Sequence, residues 1–499
     1  MTTLAAESAE ASAHSSALSN PAHPQGDHVD EVFDVVVIGG GPAGENAAQY
    51  AVQGTDMTAA IIEGEKMGGE CSYYACMPSK ALLRPLEVAN TARHLPGLTG
   101  AEIDRDALLA RRDDWVSHYD DAGQVKWAES VDLAVIRGWA QIIGERLLAV
   151  DGPDGRKIIE ARKAVIIATG SRPSIPAVLQ NVEPWDSRDV TAVTEVPERL
   201  VIVGGGVVAC EAATWMTALG SDVTMLVRGA ELLKGQEPFA SEIVLDALTK
   251  LGVRVLTNTQ AKSATRKDVE TTPELGKLHG GTVHIELDGD SIDADEILVA
   301  TGRKPLLETL NLESIGLTPE DILHENMPEW LYAVGDANGK ALLTHMGKYQ
   351  ARVIGERIAD IAAGRTPDET PEFVPVPHVI FTDPQVASTG FTEAAARKSG
   401  IDVVTTEVPY TAAAGASLLR DGVQGRAKLV INRATNAIVG ATFVGPEAGE
   451  LIHSATIAII GEVPIERLRH AVPSYPTASE IWLRLIEALP QEVLRPHRA

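Results

Sequence analysis

Apolar positions along the chain form one pattern that occurs twice. Residues 35–48, VVVIGGGPAGENAA, and residues 201–213, VIVGGGVVACEAA, each run from a continuous apolar segment through a glycine turn into an alanine-rich segment. A continuous apolar run that ends at glycines is typical of a strand covered on both faces, and the alanine-rich continuation predicts a helix. Two such strand–turn–helix units predict two α/β domains with parallel sheets.

The first unit has the glycine spacing of a dinucleotide-binding turn. Gly39 permits the tight turn, Gly41 lets the backbone approach a pyrophosphate, and Gly44 allows close packing of strand against helix. The N-terminus of the helix then offers free N–H groups to the phosphates. The next apolar segment ends in Glu63, an acid suited to the ribose hydroxyls of an adenosine. The competing interpretation is an ordinary strand–helix connection.

The second unit repeats the turn with one substitution and lacks the acid. Gly204 and Gly206 keep their positions, and Ala209 stands where the third glycine would be. The following apolar segment, SDVTMLV, leads into Arg228 and then Lys234. A missing carboxylate together with nearby cations favours the 2′-phosphate of NADPH over NADH. The alternative is that both side chains are merely solvated.

A second repeat marks where the chain leaves each nucleotide unit. ATGSRP and ATGRKP both close apolar strands and contain the expected nucleotide neighbours Thr169, Gly170 and Gly302. Further on, LYAVGDANG ends an apolar segment at Asp336. This residue can present its carboxylate to a polar ligand, or it can cap the helix that follows. The sequence leaves both interpretations open.

The last part of the chain has a different pattern. A proline-rich segment beginning near residue 367 indicates a boundary. Strand-like runs (AKLVINR, AIVGATFVG) and amphipathic segments (AGELIHSATIAII, ASEIWLRLIEAL) follow it, without another nucleotide turn. This order predicts a separate α+β domain.

Two of the three cysteines lie close together in the segment GGECSYYACMPSK. Cys71 and Cys76 follow the first nucleotide turn, so the same domain should deliver them near its ligand. A zinc site needs about four ligands in paired clusters, whereas the third cysteine, Cys210, is remote and is interpreted as a small packing residue. An inert disulfide is uncommon in a cytosolic protein. Near the start of a helix both thiols should have lowered pKa values, which favours a redox dithiol.

Composition and charge narrow the possible partners. The chain has 499 residues and a formal net charge of −26, and such an acidic surface repels nucleic acid and anionic lipid. No apolar run approaches the ~20 residues of a membrane helix. Because three cysteines cannot staple a chain of this size, we expect a cytoplasmic protein. Residues 1–31 are rich in Ala and Ser, lack the features of a secretion signal and predict a disordered tail.

From about residue 32 the chain resembles the class I pyridine nucleotide-disulfide oxidoreductases, which include dihydrolipoamide dehydrogenase, glutathione reductase and mercuric reductase. The resemblance rests on the first glycine turn, GGxCxxxxCxPSK, the second glycine turn, ATG, the VGD segment and HVIFTDPQVASTG, in that order. It implies an α/β fold with two Rossmann-like dinucleotide-binding domains, for FAD and NAD(P), and a C-terminal α+β dimerisation domain. The implied boundaries are 32–185 and 303–366 for the FAD domain, 186–302 for the NAD(P) domain and 367–499 for the dimerisation domain.

The resemblance also implies roles for individual residues. Cys76 matches the thiol that faces the flavin, and Cys71 matches the outer thiol that meets the substrate. Lys80 and Glu211 match an ion pair beside the flavin, where a buried charge would be costly unless paired. The implied assembly is a homodimer that uses a small-molecule electron acceptor and holds no metal. FAD would contact Gly39, Gly41, Gly44, Glu63, Lys80, Thr169, Gly170 and Asp336, and NADPH (or NADH) would contact Gly204, Gly206, Ala209, Arg228, Lys234 and Gly302.

Departures from the family pattern bear on the acceptor. Relatives that act on dithiols carry a histidine as acid/base for the outer thiol of the partner subunit, followed by a glutamate. The matching segment here, SYPTASE, has Tyr475 in place of the histidine and keeps Glu480. Tyrosine, with an ordinary pKa of ~10, is a poor proton acceptor at neutral pH. Mercuric reductases also use tyrosine, but the C-terminal cysteine pair expected with it does not occur in LRPHRA.

Three functions remain open at this point. The first is an enzyme that passes hydride from NAD(P)H to FAD and electrons through Cys71 and Cys76 to a disulfide-like or metal acceptor, with dihydrolipoamide dehydrogenase proper as one form. The second is an NAD(P)H:quinone reductase that uses reduced FAD directly, which Tyr475 favours. The third is a nucleotide-binding redox sensor without turnover. The retained dithiol, Lys80 and Glu211 argue against the third, because simple binding requires none of them.

Overall fold

The computed structural model of the protein describes residues 28–271 and 274–495. The predicted disordered tail, residues 1–31, lies almost wholly outside the described residues. Its last residue, Glu31, is the first residue of strand β1.

The first part of the chain alternates strands with helices and then forms a run of consecutive strands. The strands are β1 (Glu31–Ile38), β2 (Ala59–Glu63), β3 (Leu133–Arg137), β4 (Trp139–Gly144), β5 (Leu147–Gly152), β6 (Gly155–Ile167) and β7 (Ser171–Pro173). The helices are α1 (Pro42–Val52), α2 (Gly69–Tyr73), α3 (Cys76–Arg93), α4 (Arg105–Trp115), α5 (Ala122–Ser130) and α6 (Ser187–Thr191).

The middle part repeats the alternation and then returns to the first unit. The strands are β8 (Arg199–Val203), β9 (Asp222–Val227), β10 (Arg254–Thr257), β11 (Ser263–Arg266), β12 (Val283–Glu286), β13 (Ser291–Ala294), β14 (Glu296–Val299), β15 (Arg303–Pro305) and β16 (Leu331–Ala333). The helices are α7 (Val207–Ala218), α8 (Pro238–Lys250), α9 (Pro319–Leu323) and α10 (Thr344–Ala362).

The last part of the chain forms a sheet of its own with helices around it. The strands are β17 (His378–Ile380), β18 (Gln385–Gly390), β19 (Val403–Pro409), β20 (Arg426–Asn432) and β21 (Ala437–Gly445). The helices are α11 (Glu393–Lys398), α12 (Ala414–Ser417), α13 (Ala448–Ile460), α14 (Ile465–Leu468), α15 (Glu480–Glu487) and α16 (Gln491–Leu494).

The first sheet carries the first glycine turn. Its strands lie in the order β3-β2-β1-β6-β5-β4, and β16 also pairs with β6. The pairs β1–β2, β2–β3, β1–β6 and β6–β16 are parallel, whereas β4 and β5 extend the sheet in antiparallel fashion. The apolar runs of β1 and β2 are buried, as strands covered on both faces require. Because β16 returns to this sheet, the segment that contains Asp336 comes back to the first unit.

The second sheet repeats the parallel arrangement. Its order is β10-β9-β8-β14, and all of its pairs are parallel. A separate antiparallel sheet, β11-β12-β13, flanks it. The two ATG segments meet where the chain enters and leaves this unit, since Ser171 in β7 pairs with Pro305 in β15. The internal repeat read from the sequence therefore brings its two copies into contact.

The third sheet is antiparallel, in the order β17-β18-β21-β20-β19. Phe443 and Tyr410 are buried in its core, together with residues of α13 and α15. The predicted α+β character of this part is confirmed. The predicted domain boundaries at 302/303 and 366/367 fall between these sheets, whereas the one at 185/186 follows Trp185, which already forms a bridge with Leu298 of the second sheet. All three boundaries stay predictions.

Helix α3 lies where the three units meet. Its residues Leu82 and Leu83 belong to the same buried core as Trp215 of the second unit and Ile380 of the third. A helix anchored in this way holds its first residue, Cys76, in a fixed place relative to all three sheets. Among residues 28–271 and 274–495, none of the helices has both the length and the apolar composition that a membrane-spanning helix requires.

Candidate active site

The first glycine turn is shaped by close backbone contacts. A Cβ atom added to Gly39, whose φ is +109°, would lie 2.3 Å from the carbonyl oxygen of Ala168, and one added to Gly44 would lie 1.9 Å from that of Gly39. Around Gly41 there is room, since the nearest atom to such a Cβ is the Cα of Gly69 at 3.9 Å. Gly39 and Gly44 therefore close the turn, whereas Gly41 leaves space above it. Helix α1 begins there without a side-chain cap, so its first N–H groups are available to a ligand.

Glu63 is fixed at this turn by the backbone. Its carboxylate accepts a hydrogen bond from the N–H of Gly40 at 2.6 Å and another from the N–H of Glu65 at 2.6 Å. Burial raises the pKa of Glu63, although these two hydrogen bonds act in the opposite direction. The predicted ribose-binding carboxylate is thus held beside the glycine turn in one orientation.

Asp336 does not cap the long helix that follows it. That helix, α10, begins at Thr344, and Asp336 lies in an earlier 3-10 turn. Its carboxylate accepts a hydrogen bond from the hydroxyl of Ser171 at 2.6 Å. The Ser171 hydroxyl in turn accepts from Nε of Arg303 at 2.7 Å. Of the two interpretations left open by the sequence, the helix cap is therefore wrong, and burial raises the pKa of Asp336.

One cavity joins these groups to the dithiol. Two of the residues expected to contact FAD, Gly44 and Lys80, do not line this cavity. Gly44 is taken up by strand–helix packing. The residues expected at FAD that line the cavity are Gly39, Gly41, Glu63, Thr169, Gly170 and Asp336, and Cys71 lines it too.

The two cysteines lie on successive helices that a short loop separates. Cys71 is inside α2 and Cys76 is the first residue of α3. Both thiols are free, they are hydrogen-bonded to each other, and Sγ of Cys76 lies 3.3 Å from Oγ1 of Thr344, which lines the cavity. Cys71 thus lines the cavity directly, and Cys76 contacts it through Thr344. The inner and outer roles of the two thiols stay predictions.

The hydrogen bond between the thiols separates their acidities. It lowers the pKa of Cys76 to about 6, supported by the hydrogen bond with Thr344 and the charge of Lys80 against the cost of burial. The same hydrogen bond, with burial, raises the pKa of Cys71. Our expectation that both thiols would be acidified is therefore wrong for Cys71, because that thiol is the donor that stabilises its neighbour as a thiolate.

Lys80 and Glu211 come together from different units. Nζ of Lys80, one turn after Cys76 on α3, lies 2.9 Å from Oε2 of Glu211 on α7. Oε1 of Glu211 accepts a hydrogen bond from the N–H of Phe381 at 2.9 Å, and the Lys80 ammonium lies 4.8 Å from the centre of the Phe381 ring. The buried carboxylate therefore ties the dithiol helix to the second and third units.

The second glycine turn is open to a ligand. A Cβ on Gly204 would lie 2.3 Å from the carbonyl oxygen of Ala300, whereas one on Gly206 would have no atom within 4 Å. Ala209 is fully buried, and Gly302 is as open as Gly206. This is the geometry expected of a tight turn whose middle glycine faces a pyrophosphate.

The two cations of this unit are exposed near the same turn. Arg228 directly follows β9, and the carboxyl ends of parallel strands meet at one edge of a sheet. The N–H of Leu233 donates to the carbonyl of Gly205 at 2.7 Å, which holds the loop with Lys234 against the turn. Both side chains are exposed, so the structure leaves them free to meet a phosphate.

Tyr475 and Glu480 do not reach the dithiol of their own chain. Tyr475 is 77% exposed. Glu480 is buried and accepts a hydrogen bond from the N–H of Gly415 at 3.3 Å. Neither residue lines the cavity that contains Cys71. A role at a dithiol would therefore require a second chain.

Two residues carry no signal in the sequence, Thr344 in the cavity wall and Glu45 on the helix that follows the first glycine turn. Thr344 is 268 positions from Cys76 and reaches it only because β16 returns the chain to the first sheet. Glu45 on α1 is nearly buried, its Oε1 has no hydrogen-bond partner among the described residues, and burial raises its pKa to about 7.

Cys210 is fully buried in the core, as its interpretation as a packing residue requires. Within residues 28–271 and 274–495 no cluster of His, Cys, Asp or Glu side chains could hold a metal ion.

Two open glycine turns, a carboxylate fixed at the first of them and a dithiol beside a buried Lys–Glu pair define an oxidoreductase with two dinucleotide sites. Residues 33–352 match the family model described as pyridine nucleotide-disulphide oxidoreductase, and residues 376–486 match the dimerisation domain of the same family. The chain belongs to this family, which confirms the predicted family and fold class.

Curated relatives cover nearly the whole chain. A dihydrolipoyl dehydrogenase of Chlamydia muridarum is 30% identical over 470 residues, which span 91% of this chain and 96% of the relative. A mercuric reductase of Staphylococcus aureus is 31% identical over 469 residues, which span 90% of this chain and 81% of the relative.

Solved structures share the fold. LpdA from Mycobacterium tuberculosis superposes with a TM-score of 0.78 at 24% identity and covers 91% of this chain and 99% of its own. A Cu(II) complex of the HOCl-induced flavoprotein disulfide reductase RclA from Escherichia coli superposes with a TM-score of 0.77 at 23% identity, covering 92% and 99%.

The enzyme class follows from the family. The protein is an FAD-dependent oxidoreductase that acts on sulfur groups, and its cofactors are FAD and NAD(P)H. The residues fit the flavin nucleotide, since the space above Gly41, the uncapped start of α1 and the fixed carboxylates of Glu63 and Asp336 line one cavity with a thiol. The predicted enzyme and cofactors are confirmed.

Proposed function

We propose that the protein passes electrons from NAD(P)H, by way of FAD, to Cys71 and Cys76 and on to a small disulfide-like compound or a metal ion. The single observation that carries this proposal is the pair of free thiols at the cavity wall: Cys71 lines the cavity, and Sγ of Cys76 lies 3.3 Å from Oγ1 of Thr344, which lines it too. The mercuric reductase relative motivates the metal ion as an acceptor class.

Bound FAD supplies two-electron transfer between a nicotinamide and thiols. The chain's own groups would hold it: the open turn at Gly41 and the start of α1 would receive the diphosphate, and the carboxylates of Glu63 and Asp336 would accept hydrogen bonds from hydroxyls. Glu211 holds the Lys80 ammonium beside Cys76, where the positive charge favours the thiolate.

In the proposed exchange the Cys71 thiol must lose its proton before its sulfur attacks an acceptor. Neither Tyr475 nor Glu480 lines the cavity of its own chain, so a proton acceptor from the third unit would come from a second copy. The match to a dimerisation domain supports a homodimer that places these residues there. Cytoplasmic placement stays a prediction.

A quinone reductase that bypasses the dithiol is the second candidate. The observation that favours it is Tyr475, because a phenol hydroxyl is a poorer proton acceptor for thiol chemistry than the imidazole of a histidine. An acceptor reduced directly by the flavin would need no base at this position.

We also propose that the enzyme prefers NADPH to NADH. Arg228 and Lys234 are exposed beside the second turn, and β9 ends at Val227 without a carboxylate that would compete for the 2′-phosphate.

Separate removal of the two thiols tests the electron path. Cys71→Ser and Cys76→Ser should each abolish NADPH-dependent reduction of disulfides and mercuric ion while reduction of a quinone survives. Cys210→Ala, which changes the remaining cysteine, should reduce every acceptor at the wild-type rate. Disulfide reduction that persists in both serine variants would show that the dithiol is not on the path.

A further inference from the structure

Arg188 lies against the dithiol loop although it belongs to α6, the helix that opens the second unit. Its Nε donates to Oε1 of Glu70 at 2.6 Å, and one of its terminal nitrogens donates to Oε2 of Glu65 at 2.9 Å. Glu70 immediately precedes Cys71 in the chain. One guanidinium therefore bridges two carboxylates, one of which belongs to the first turn of the helix that carries a thiol.

The same guanidinium also contacts the loop between the thiols. Its central carbon lies 4.5 Å from the ring centre of Tyr74, which is the C-terminal cap of α2. Tyr74 stacks on Tyr119 with ring centres 5.7 Å apart. One turn further along α6, the hydroxyl of Thr191 donates to the carbonyl of Tyr74 at 2.9 Å. Helix α6 thus holds α2 at both of its ends.

The environment makes these contacts stronger than exposed ion pairs. The side chains of Arg188, Glu65 and Glu70 are only 27%, 25% and 28% exposed. Burial disfavours the arginine charge, but the Glu70 and Glu65 carboxylates raise the pKa of Arg188, so it stays charged. Without the guanidinium, two partly desolvated carboxylates would face each other, a costly arrangement.

A second arginine extends the connection toward the cofactor cavity. Arg303 of β15 lies 3.6 Å from the other oxygen of Glu70 and donates to Ser171, the residue whose hydroxyl binds Asp336. The segment before Cys71 is therefore held by one arginine from α6 and one from β15, which lie in the two chain segments that connect the first and second units.

We propose that Arg188 is a positioning residue that fixes the Cys71–Cys76 loop in the geometry of thiol exchange and couples that loop to the nucleotide unit. The inference rests on the proposed redox role of the dithiol but is independent of the acceptor. The hydrogen bond between the Cys71 and Cys76 thiols then persists only while both ends of α2 are held. Loss of the guanidinium removes the bridge between Glu65 and Glu70 and the contact with the Tyr74 ring, which loosens α2 and lets the two sulfurs separate.

The test titrates the thiols of the reduced holoenzyme, which needs no acceptor. The rate of alkylation by iodoacetamide is followed against pH, with the labelled residue identified by peptide mass spectrometry. Arg188→Met should move the half-maximal rate upward by about one pH unit, which is about tenfold less thiolate at acidic pH. Arg188→Lys, which keeps the charge but not the fork, should shift it less. The dithiol–disulfide equilibrium in glutathione buffers should move as well.

A matched control separates positioning from general damage. Arg199→Met breaks an arginine–carboxylate pair with Asp295 in the same unit, away from the thiols, and should leave both readouts at wild-type values. The double variant Arg188→Met/Glu70→Gln also removes one of the two carboxylates that Arg188 bridges. It replaces Arg188→Met in both measurements if the single variant folds poorly. Wild-type titration and equilibrium in Arg188→Met, or an equal shift in Arg199→Met, would overturn the proposal. Failure of the proposed function itself would appear separately, in the cysteine variants.

Discussion

The ammonium of Lys80 and the carboxylate of Glu211 meet at 2.9 Å with very different exposure, since 34% of the lysine side chain and 4% of the glutamate side chain are accessible. The glutamate has a second partner, the N–H of Phe381, whereas the lysine is partly solvated. Loss of either partner therefore has unequal consequences.

Lys80→Met should destabilise the protein by about 3–5 kcal/mol, because it leaves a buried carboxylate without its counter-charge. Glu211→Gln keeps an acceptor for the Phe381 N–H and leaves an ammonium that water can reach, so its cost should be smaller. Urea unfolding of both single variants and the double variant measures the difference, and the double variant should be more stable than Lys80→Met. Equal costs for the two single changes would contradict the asymmetry.

The Cys71 thiol should control the acidity of Cys76. In wild-type reduced protein the thiolate should form as pH rises through about 6. Cys71→Ala removes the donor that is the largest cause of this shift, so formation of the thiolate should move toward the ordinary cysteine value of about 8.5. Thr344→Val removes the weaker second contact and should move it less. The pH dependence of alkylation measures all three proteins, and an unchanged profile in Cys71→Ala would refute the assigned donor.

Glu45 should make stability depend on pH. Burial raises the pKa of Glu45 from its ordinary 4.5 to about 7, so the folded state favours the protonated form. A raised pKa contributes stability that is present below about 4.5 and is lost as pH rises through about 7, a loss of about 3 kcal/mol. Glu45→Gln should therefore stabilise the protein near pH 8 and lose that advantage near pH 4.

The groups that face Glu45 provide the control for this effect. Lys348 on α10 lowers the pKa of Glu45 and Glu63 on β2 raises it, while Tyr73 on α2 is a further titratable neighbour. Lys348→Met should raise the pKa of Glu45 further, so the loss of stability should become larger and extend to higher pH values, because the carboxylate becomes costlier to ionise. Midpoints of urea unfolding across the pH range measure this, and a gain in Glu45→Gln that does not vary with pH would exclude the titration.

Much of the architecture could be predicted from local sequence because its signals are local. The burial of β1 and β8 and the glycine turns depend on neighbouring residues, and so does the presence of a helix start beside the two cysteines. The ion pair of Lys80 and Glu211 is predicted from the family resemblance and not from the spacing of residues in the sequence.

Contacts that depend on tertiary closure had no such signal. Thr344 meets Cys76 only after β16 returns the chain to the first sheet, and Arg188 meets Glu70 only when α6 packs against the segment before Cys71, 118 positions away. The expectation that the pKa of Cys71 is lowered is wrong for the same reason, because the proximity of a helix start does not reveal which thiol donates to the other.

The preference for NADPH should reside in two exposed cations. Arg228→Ala and Lys234→Ala should each raise KM for NADPH about tenfold and leave KM for NADH nearly unchanged, since only NADPH carries the 2′-phosphate. Lys250→Ala, a change of an exposed lysine paired with Asp246 on α8, is the matched control and should alter neither constant. Equal increases in KM for NADPH and for NADH would show that the two cations attract both dinucleotides nonspecifically and do not recognise the 2′-phosphate.

Gly41 and Gly44 should respond in opposite ways to the same added methyl group. At Gly41, where φ is −73° and only the Cα of Gly69 lies within 4 Å of a new Cβ, alanine fits the protein but occupies the space left for the diphosphate. Gly41→Ala should therefore leave the apoprotein with wild-type thermal stability and weaken FAD at least about tenfold. At Gly44 the new Cβ would lie 1.9 Å from the carbonyl oxygen of Gly39, so Gly44→Ala should destabilise the apoprotein itself. Thermal unfolding of the apoproteins and titration with FAD, followed by flavin fluorescence, distinguish the two. Wild-type FAD affinity in a folded Gly41→Ala protein would place the diphosphate elsewhere.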